Sequence, residues 1–267
     1  NGLIADIAAK QHKMGSIPQK IGDVYNLSMD TTRRNQEGIA PVLPVLQEIE
    51  NVTDKAQWSE VLGKAMDFGL WAMYVDADAM NSSMNILNEY QAGFALSQKD
   101  YYIDQDEHTQ HIRAEYLKHV EKMFTLFGIS DAAEKAQTVL RLETRLANAA
   151  LSNVELRDPV ANYNKMSIEE LQKLVPEVDW NVYFAGLNIA PDSLSVGQVR
   201  HLQEAGKMLN DEPLEDMKTL FTWQVIDGSA DFLTEEIFMQ NFEFYGRILS
   251  GRQEPTPLWK RAVAMVN

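Results

Sequence analysis

Cysteine is absent from all 267 residues, which excludes disulfides, thiol nucleophiles and thiolate metal sites together. That absence is compatible with both a cytoplasmic and a bacterial extracytoplasmic home. Also missing is any run near the roughly 18 to 20 uninterrupted apolar residues that a membrane-spanning helix requires. The opening "NGLIADIAAKQHK" lacks the basic, apolar, small-residue order of a secretory signal. It lacks an initiator methionine too, and "RQEPTPLWKRAVAMVN" stops inside a helical pattern. These two features predict a piece of a longer polypeptide, with any export signal upstream. No Gly/Ser-rich linker, low-complexity run or internal repeat marks a boundary, so one continuous region over 1–267 is expected.

Positive charge is scarce. Against 39 Asp and Glu stand 24 Lys and Arg, a net charge of −15, which repels a phosphate backbone and excludes nucleic acid as a partner. The 45% of hydrophobic residues is enough for one large core or two smaller ones. Formal glycosylation sequons at Asn26, Asn51 and Asn81 are read as chance in a cysteine-free chain.

What the chain does carry is helical punctuation. Ser167 and Glu170, Ser195 and Gln198, and Asp131 and Glu134 have the spacing of capping boxes, which satisfy first-turn amides. Apolar residues then recur at helical intervals, as Val139, Leu142, Leu146 and Ala149, and as Val199, Leu202 and Leu209. The stretch from Thr234 to Leu249 is apolar over much of its circumference and predicts a central helix ending at Gly251. Residues 69–96 differ. There, aromatic and β-branched residues flank the turn-rich "DADAMNSS", which predicts a two-stranded hairpin, although short apolar runs also occur in buried helices. The fold class expected is mainly α, a multi-helix domain with a small β-hairpin.

In "LSNVELRDPVANYNKMS", residues 151–167, Pro159 forces Asp158 out of the helical basin. The preceding helix is expected to end near Arg157 and the next to start at Ser167, a helix-to-helix corner. Arg157 and Asp158 read either as a pair satisfying orphan helix-end groups or as an oriented catalytic carboxylate with its cation.

Catalytic motifs are missing. There is no H-E-x-x-H, nucleophile elbow, phosphate loop or dinucleotide fingerprint. His108, His111, Glu115 and His119 fall at helical offsets that line one narrow face, a geometry that can hold an adventitious metal. The alternative reading is a polar flank beside the apolar face of Ile112, Tyr116, Val120 and Met123.

Four segments in order resemble the neprilysin and endothelin-converting-enzyme family of zinc metallopeptidases, in its non-catalytic N-terminal half. They are "QKIGDVYNLSMDT" (19–31), "GFALSQKDYY" (93–102), "ELRDPVANYNKMS" (155–167) and "PLWKRAVAMVN" (257–267). Departures are the lack of cysteine, with Ala262 where animal members carry one, which points to a bacterial member, and "LSQKDYY" where the family has "LPSRDYY". The resemblance implies a helical region walling off a substrate chamber, with 257–267 leading into a catalytic domain. That domain and peptide substrates are the implied partners, and zinc the implied cofactor of the full-length enzyme, with none held by these residues. It assigns no catalytic or substrate-binding residue here. Arg157, Asp158, Pro159, Tyr163, Asn164, Lys165 and Met166 stand as a structural signature. Extracytoplasmic localisation follows from the same resemblance. The competing reading is a stand-alone acidic helical module for protein interaction.

Overall fold

The computed structural model describes residues 2–65 and 67–266. The chain divides into two compact units, one made of 1–41 with 229–267, the other of 42–228. Among the described residues 61% are helical, and the strands form one four-stranded sheet. The mainly α expectation holds.

In the 42–228 unit, the expected hairpin is present as β1 (Trp71–Asp78) and β2 (Asn81–Gln91), paired antiparallel with a bulge between Ala77 and Asp78. Two four-residue strands, β3 (Asn164–Ser167) and β4 (Ser193–Val196), complete the order β1-β2-β4-β3. β2 and β4 run parallel, and β3 and β4 antiparallel. Strands this short carry no readable alternation, and their presence corrects two expectations. Ser195 does not cap a helix: it is buried in β4 opposite Lys165. The helix Val199–Asp211 starts later, and Gln198 at its N-cap makes no capping bond with its side chain. The corner at 151–167 is not helix to helix, because a strand precedes the capping box of Ser167 and Glu170, which is formed as expected.

The helix Ala132–Ala149 buries Val139, Leu142 and Leu146 as the pattern predicts. It ends at Ala149, not near Arg157, with only a 3-10 turn at Glu155–Arg157. Its terminal carbonyls explain the early stop: Arg200 donates to the oxygens of Ala149 and Ala150, each at 2.8 Å, and Lys99 to that of Ala150 at 2.7 Å. Asp131 does precede this helix, but at φ 56° its side chain makes no capping bond.

In the other unit, the first resembling segment lies on the helix Ile17–Met29, and Asp30 caps the next helix through the amide of Arg33 at 2.9 Å. Thr234 caps the helix Glu235–Asn241, which continues as a π-helix over Phe242–Ile248. A Cβ on Gly246 would collide with the Phe242 ring, and Gly251 ends the segment at φ 68°. Buried Ala262 lies on the helix Leu258–Val266; Asn267, the last residue of the fourth resembling segment, is outside the described residues.

Candidate functional site

Of the signature at 157–166, Tyr163 and Lys165 bond to the end of β1 in the hairpin. Asp158 is extended, as Pro159 requires, and its Oδ1 accepts from the amides of Val160 and Ala161 at 3.0 Å each. Its side chain therefore closes its own turn, and Arg157 is exposed. Asp158 thus satisfies backbone amides of the corner, and no ion pair joins it to Arg157. Asn164 donates from Nδ2 to the carbonyl of Val196 at 2.9 Å, tying β3 to β4, and Met166 pairs with Leu194 in the ladder.

Tyr163 and Lys165 converge instead on a residue that sequence reasoning missed. Asp78, buried at the end of β1, accepts from the Tyr163 hydroxyl at 2.7 Å, the Lys165 ammonium at 3.0 Å and the Met80 amide at 2.9 Å. Those three donors, Tyr163 foremost, pull its carboxyl down to about 2. Because this lies below the ordinary 3.8, the stabilisation is present above pH 3.8 and lost as pH falls through 2. Tyr163→Phe should accordingly lower Tm at pH 7, and the deficit should narrow as unfolding is followed down to pH 2. A deficit constant over that range would remove Asp78 from the explanation.

A second buried carboxylate organises the segment 93–102. Glu143, fully buried on the helix Ala132–Ala149, accepts at Oε2 from the hydroxyls of Tyr102 (3.0 Å) and Tyr116 (2.8 Å) and at Oε1 from the Ala95 amide (3.2 Å). The Tyr102 oxygen accepts from the Leu96 amide at 2.8 Å, and the Tyr116 oxygen from the Trp223 indole at 2.8 Å. Burial nevertheless pushes Glu143 up to about 8, against donors that favour its charged form. Glu89 on β2 is likewise raised by burial to about 8; its Oε2 takes the Gln198 amide at 3.3 Å and its Oε1 has no partner among the described residues.

The histidine stripe does not assemble. On the helix Glu107–Leu126, His108 and His111 are exposed, whereas His119 is buried edge-on to Trp223 at 5.6 Å between ring centroids. Its Nε2 is 4.0 Å from Asp227 Oδ1. Glu115 pairs with Lys118 at 2.7 Å. These side chains do not fit a zinc ion, and among the described residues no group of three or more His, Asp or Glu is placed to hold one. His201 is buried with Nε2 3.0 Å from the Ala92 carbonyl, and burial lowers it to about 4.

Beside the free edge of β1 lies a cleft of about 660 Å3, floored by aromatic side chains including Trp71 and Tyr183, whose hydroxyl accepts from the Trp71 indole at 3.0 Å.

These features define a helical scaffold with a small mixed sheet, pinned at two buried carboxylates. Comparison with known proteins gives the scaffold its family. The model of the N-terminal part of peptidase family M13 matches residues 1–267, and the chain belongs to that family. It is similar to Mycobacterium tuberculosis zinc metalloprotease Zmp1, with a TM-score of 0.94 and 30% identity over 99% of this chain and 41% of that one. PepO from Lactobacillus rhamnosis shares the fold, with a TM-score of 0.80 and 21% identity over the whole of this chain and 43% of that one. Mouse endothelin-converting enzyme-like 1 is 23% identical over 95% of this chain and 35% of its own length. Neprilysin-11 of Caenorhabditis elegans is 25% identical over 81% of this chain and 28% of its own. The chain thus spans about a third of the curated relatives it matches.

Proposed function

We propose that this chain is the non-catalytic helical wall of a zinc-dependent metalloendopeptidase that cleaves small peptides. The observation that carries the reading is the match of the family to all of 1–267, joined to a TM-score of 0.94 with a protein named a zinc metalloprotease. Hydrolysis needs a metal to polarise the scissile carbonyl and acidify its water, with a carboxylate to take the proton. The sequence has no H-E-x-x-H, and the structure separates the three stripe histidines between solvent and core, which supports placing that chemistry in another part of the polypeptide. Partners under this reading are the catalytic domain that follows and the peptides admitted between the two. An extracytoplasmic location and a bacterial source belong to the same reading; the 30% identity with a mycobacterial protein supports the latter.

The 267-residue chain, checked for contaminating protease, should leave peptides uncut with or without added zinc. The longer polypeptide should cut them and stop when chelated. Zinc-dependent cleavage by the chain alone, abolished in His108→Ala/His111→Ala, would overturn the proposal.

A further inference from the structure

Among the described residues the sheet order leaves β1 at an edge, so the backbone of Trp71–Asp78 is paired with β2 on one side only. Natural edge strands are normally blunted by lysine, proline or a bulge, because an open row of amides and carbonyls recruits another strand. "WAMYVDAD" has neither Lys nor Pro, and its one bulge falls at the far end, between Ala77 and Asp78. The cleft runs along Ala72, Met73, Tyr74 and Val75, the unprotected stretch of that edge. Tyr74 is 50% exposed and Val75 65%, so the strand is accessible there. The lining also includes Phe68 and Phe94, and its charged side chains among the described residues are both acidic: Asp67, which is exposed, and Asp227, whose buried Oδ1 lies 4.0 Å from His119 Nε2.

From these features we infer that the β1 edge and its cleft bind an extended basic peptide segment, added antiparallel or parallel as a fifth strand. The inference concerns binding by this chain itself and holds whether or not the longer polypeptide is a peptidase. Four edge residues span ~13 Å at about 3.3 Å each, and alternate residues point outward, giving about four main-chain hydrogen bonds. Main-chain pairing supplies affinity without regard to sequence. Selection comes from side chains: apolar ones over the aromatic floor, and a lysine or arginine toward the exposed Asp67. An acidic peptide meets repulsion from Asp67 and from a chain of net charge −15.

The test is fluorescence anisotropy of the 267-residue chain with a labelled hexapeptide, Ala-Val-Lys-Leu-Arg-Ala. The expected Kd is on the order of 10 μM. Replacing its Lys and Arg by Glu, or N-methylating alternate amides, should each weaken binding ~10-fold or more, the first by charge and the second by blocking strand addition. Asp67→Lys should reverse the preference, favouring the Glu peptide. Hydrogen exchange at residues 72–75 should slow on addition of the basic peptide. Equal binding of the N-methylated peptide, equal binding of the acidic one, or no binding at millimolar peptide would each overturn the inference. So would slowed exchange at 72–75 that grows with protein concentration alone, which would assign the edge to a second copy.

Discussion

Glu143→Ala is expected to cost about 3–5 kcal/mol, because it strands three buried donors in a space no water reaches and opens a cavity beside them. The donors are the hydroxyls of Tyr102 and Tyr116 and the Ala95 amide. Two of them belong to the segment 93–102, so that segment should loosen first, with faster exchange at Ala95 and Leu96 before global unfolding. In a unit of this size Tm should fall by about 10 °C. A loss under about 1 kcal/mol, the range of ordinary surface substitutions, would show that the network is not an anchor.

The buried carboxylates also dictate a pH dependence. Glu143 and Glu89 are held up at about 8 against an ordinary 4.5. Their folded state favours the proton, so their contribution is fully present below pH 4.5 and declines as pH rises through 8. His201 acts in the opposite sense: lowered to about 4 from 6.5, it contributes above pH 6.5 and loses this as pH falls through 4. Glu89→Gln removes one titration while keeping the shape. It should match the parent at pH 4.5 and exceed it in Tm at pH 9, where the parent must bury a charge. An equal effect at both pH values would discard the protonation argument for Glu89.

The second large effect is expected at Gly63. The helices Trp58–Lys64 and Trp180–Gly186 cross backbone to backbone. A Cβ on Gly63 would lie 2.9 Å from the Tyr183 Cα and closer still to its carbonyl oxygen, and one on Gly186 2.7 Å from the Gly63 carbonyl carbon. Backbone cannot swing aside as a long side chain can, so Gly63→Ala must push the helices apart, costing about 3 kcal/mol or more. Displacing Tyr183 would also break its hydrogen bond to Trp71, so tryptophan fluorescence should shift with stability. Gly228→Ala, on the helix Leu214–Ser229 with nothing within 4 Å of its Cβ, is the control and should leave stability unchanged or raise it by about 0.5–1 kcal/mol. Equal losses in both variants would remove close packing as the cause.

Legibility followed the range of the interactions. The capping box at Ser167, the extended Asp158 before Pro159 and the hairpin at 71–91 are fixed by residues a few positions apart, so each was readable. Ser195 and Gln198 show the failure of the same logic: the spacing is right, but a β-ladder with residues 164–167 claims the backbone that a cap would use. Tyr163 and Lys165 stood out by resemblance, yet their target Asp78 lies 85 and 87 positions away. Nothing local in the Glu143 environment sets it apart from other helix glutamates, except that it interrupts a buried stripe between Leu142 and Leu146.

By itself, then, the sequence determined the helical class, the capping box at Ser167, the turn before Pro159, the exclusion of thiol chemistry and the order of family segments, since all of these are properties of composition or short spacing. Only the tertiary structure decided that His119 is core while His108 and His111 face solvent, that Glu143 and Asp78 are the anchors, and that β1 keeps an open edge beside an acidic, aromatic cleft. Burial and strand order arise when segments about 40 to 110 residues apart meet, and no local pattern encodes the partner each will find.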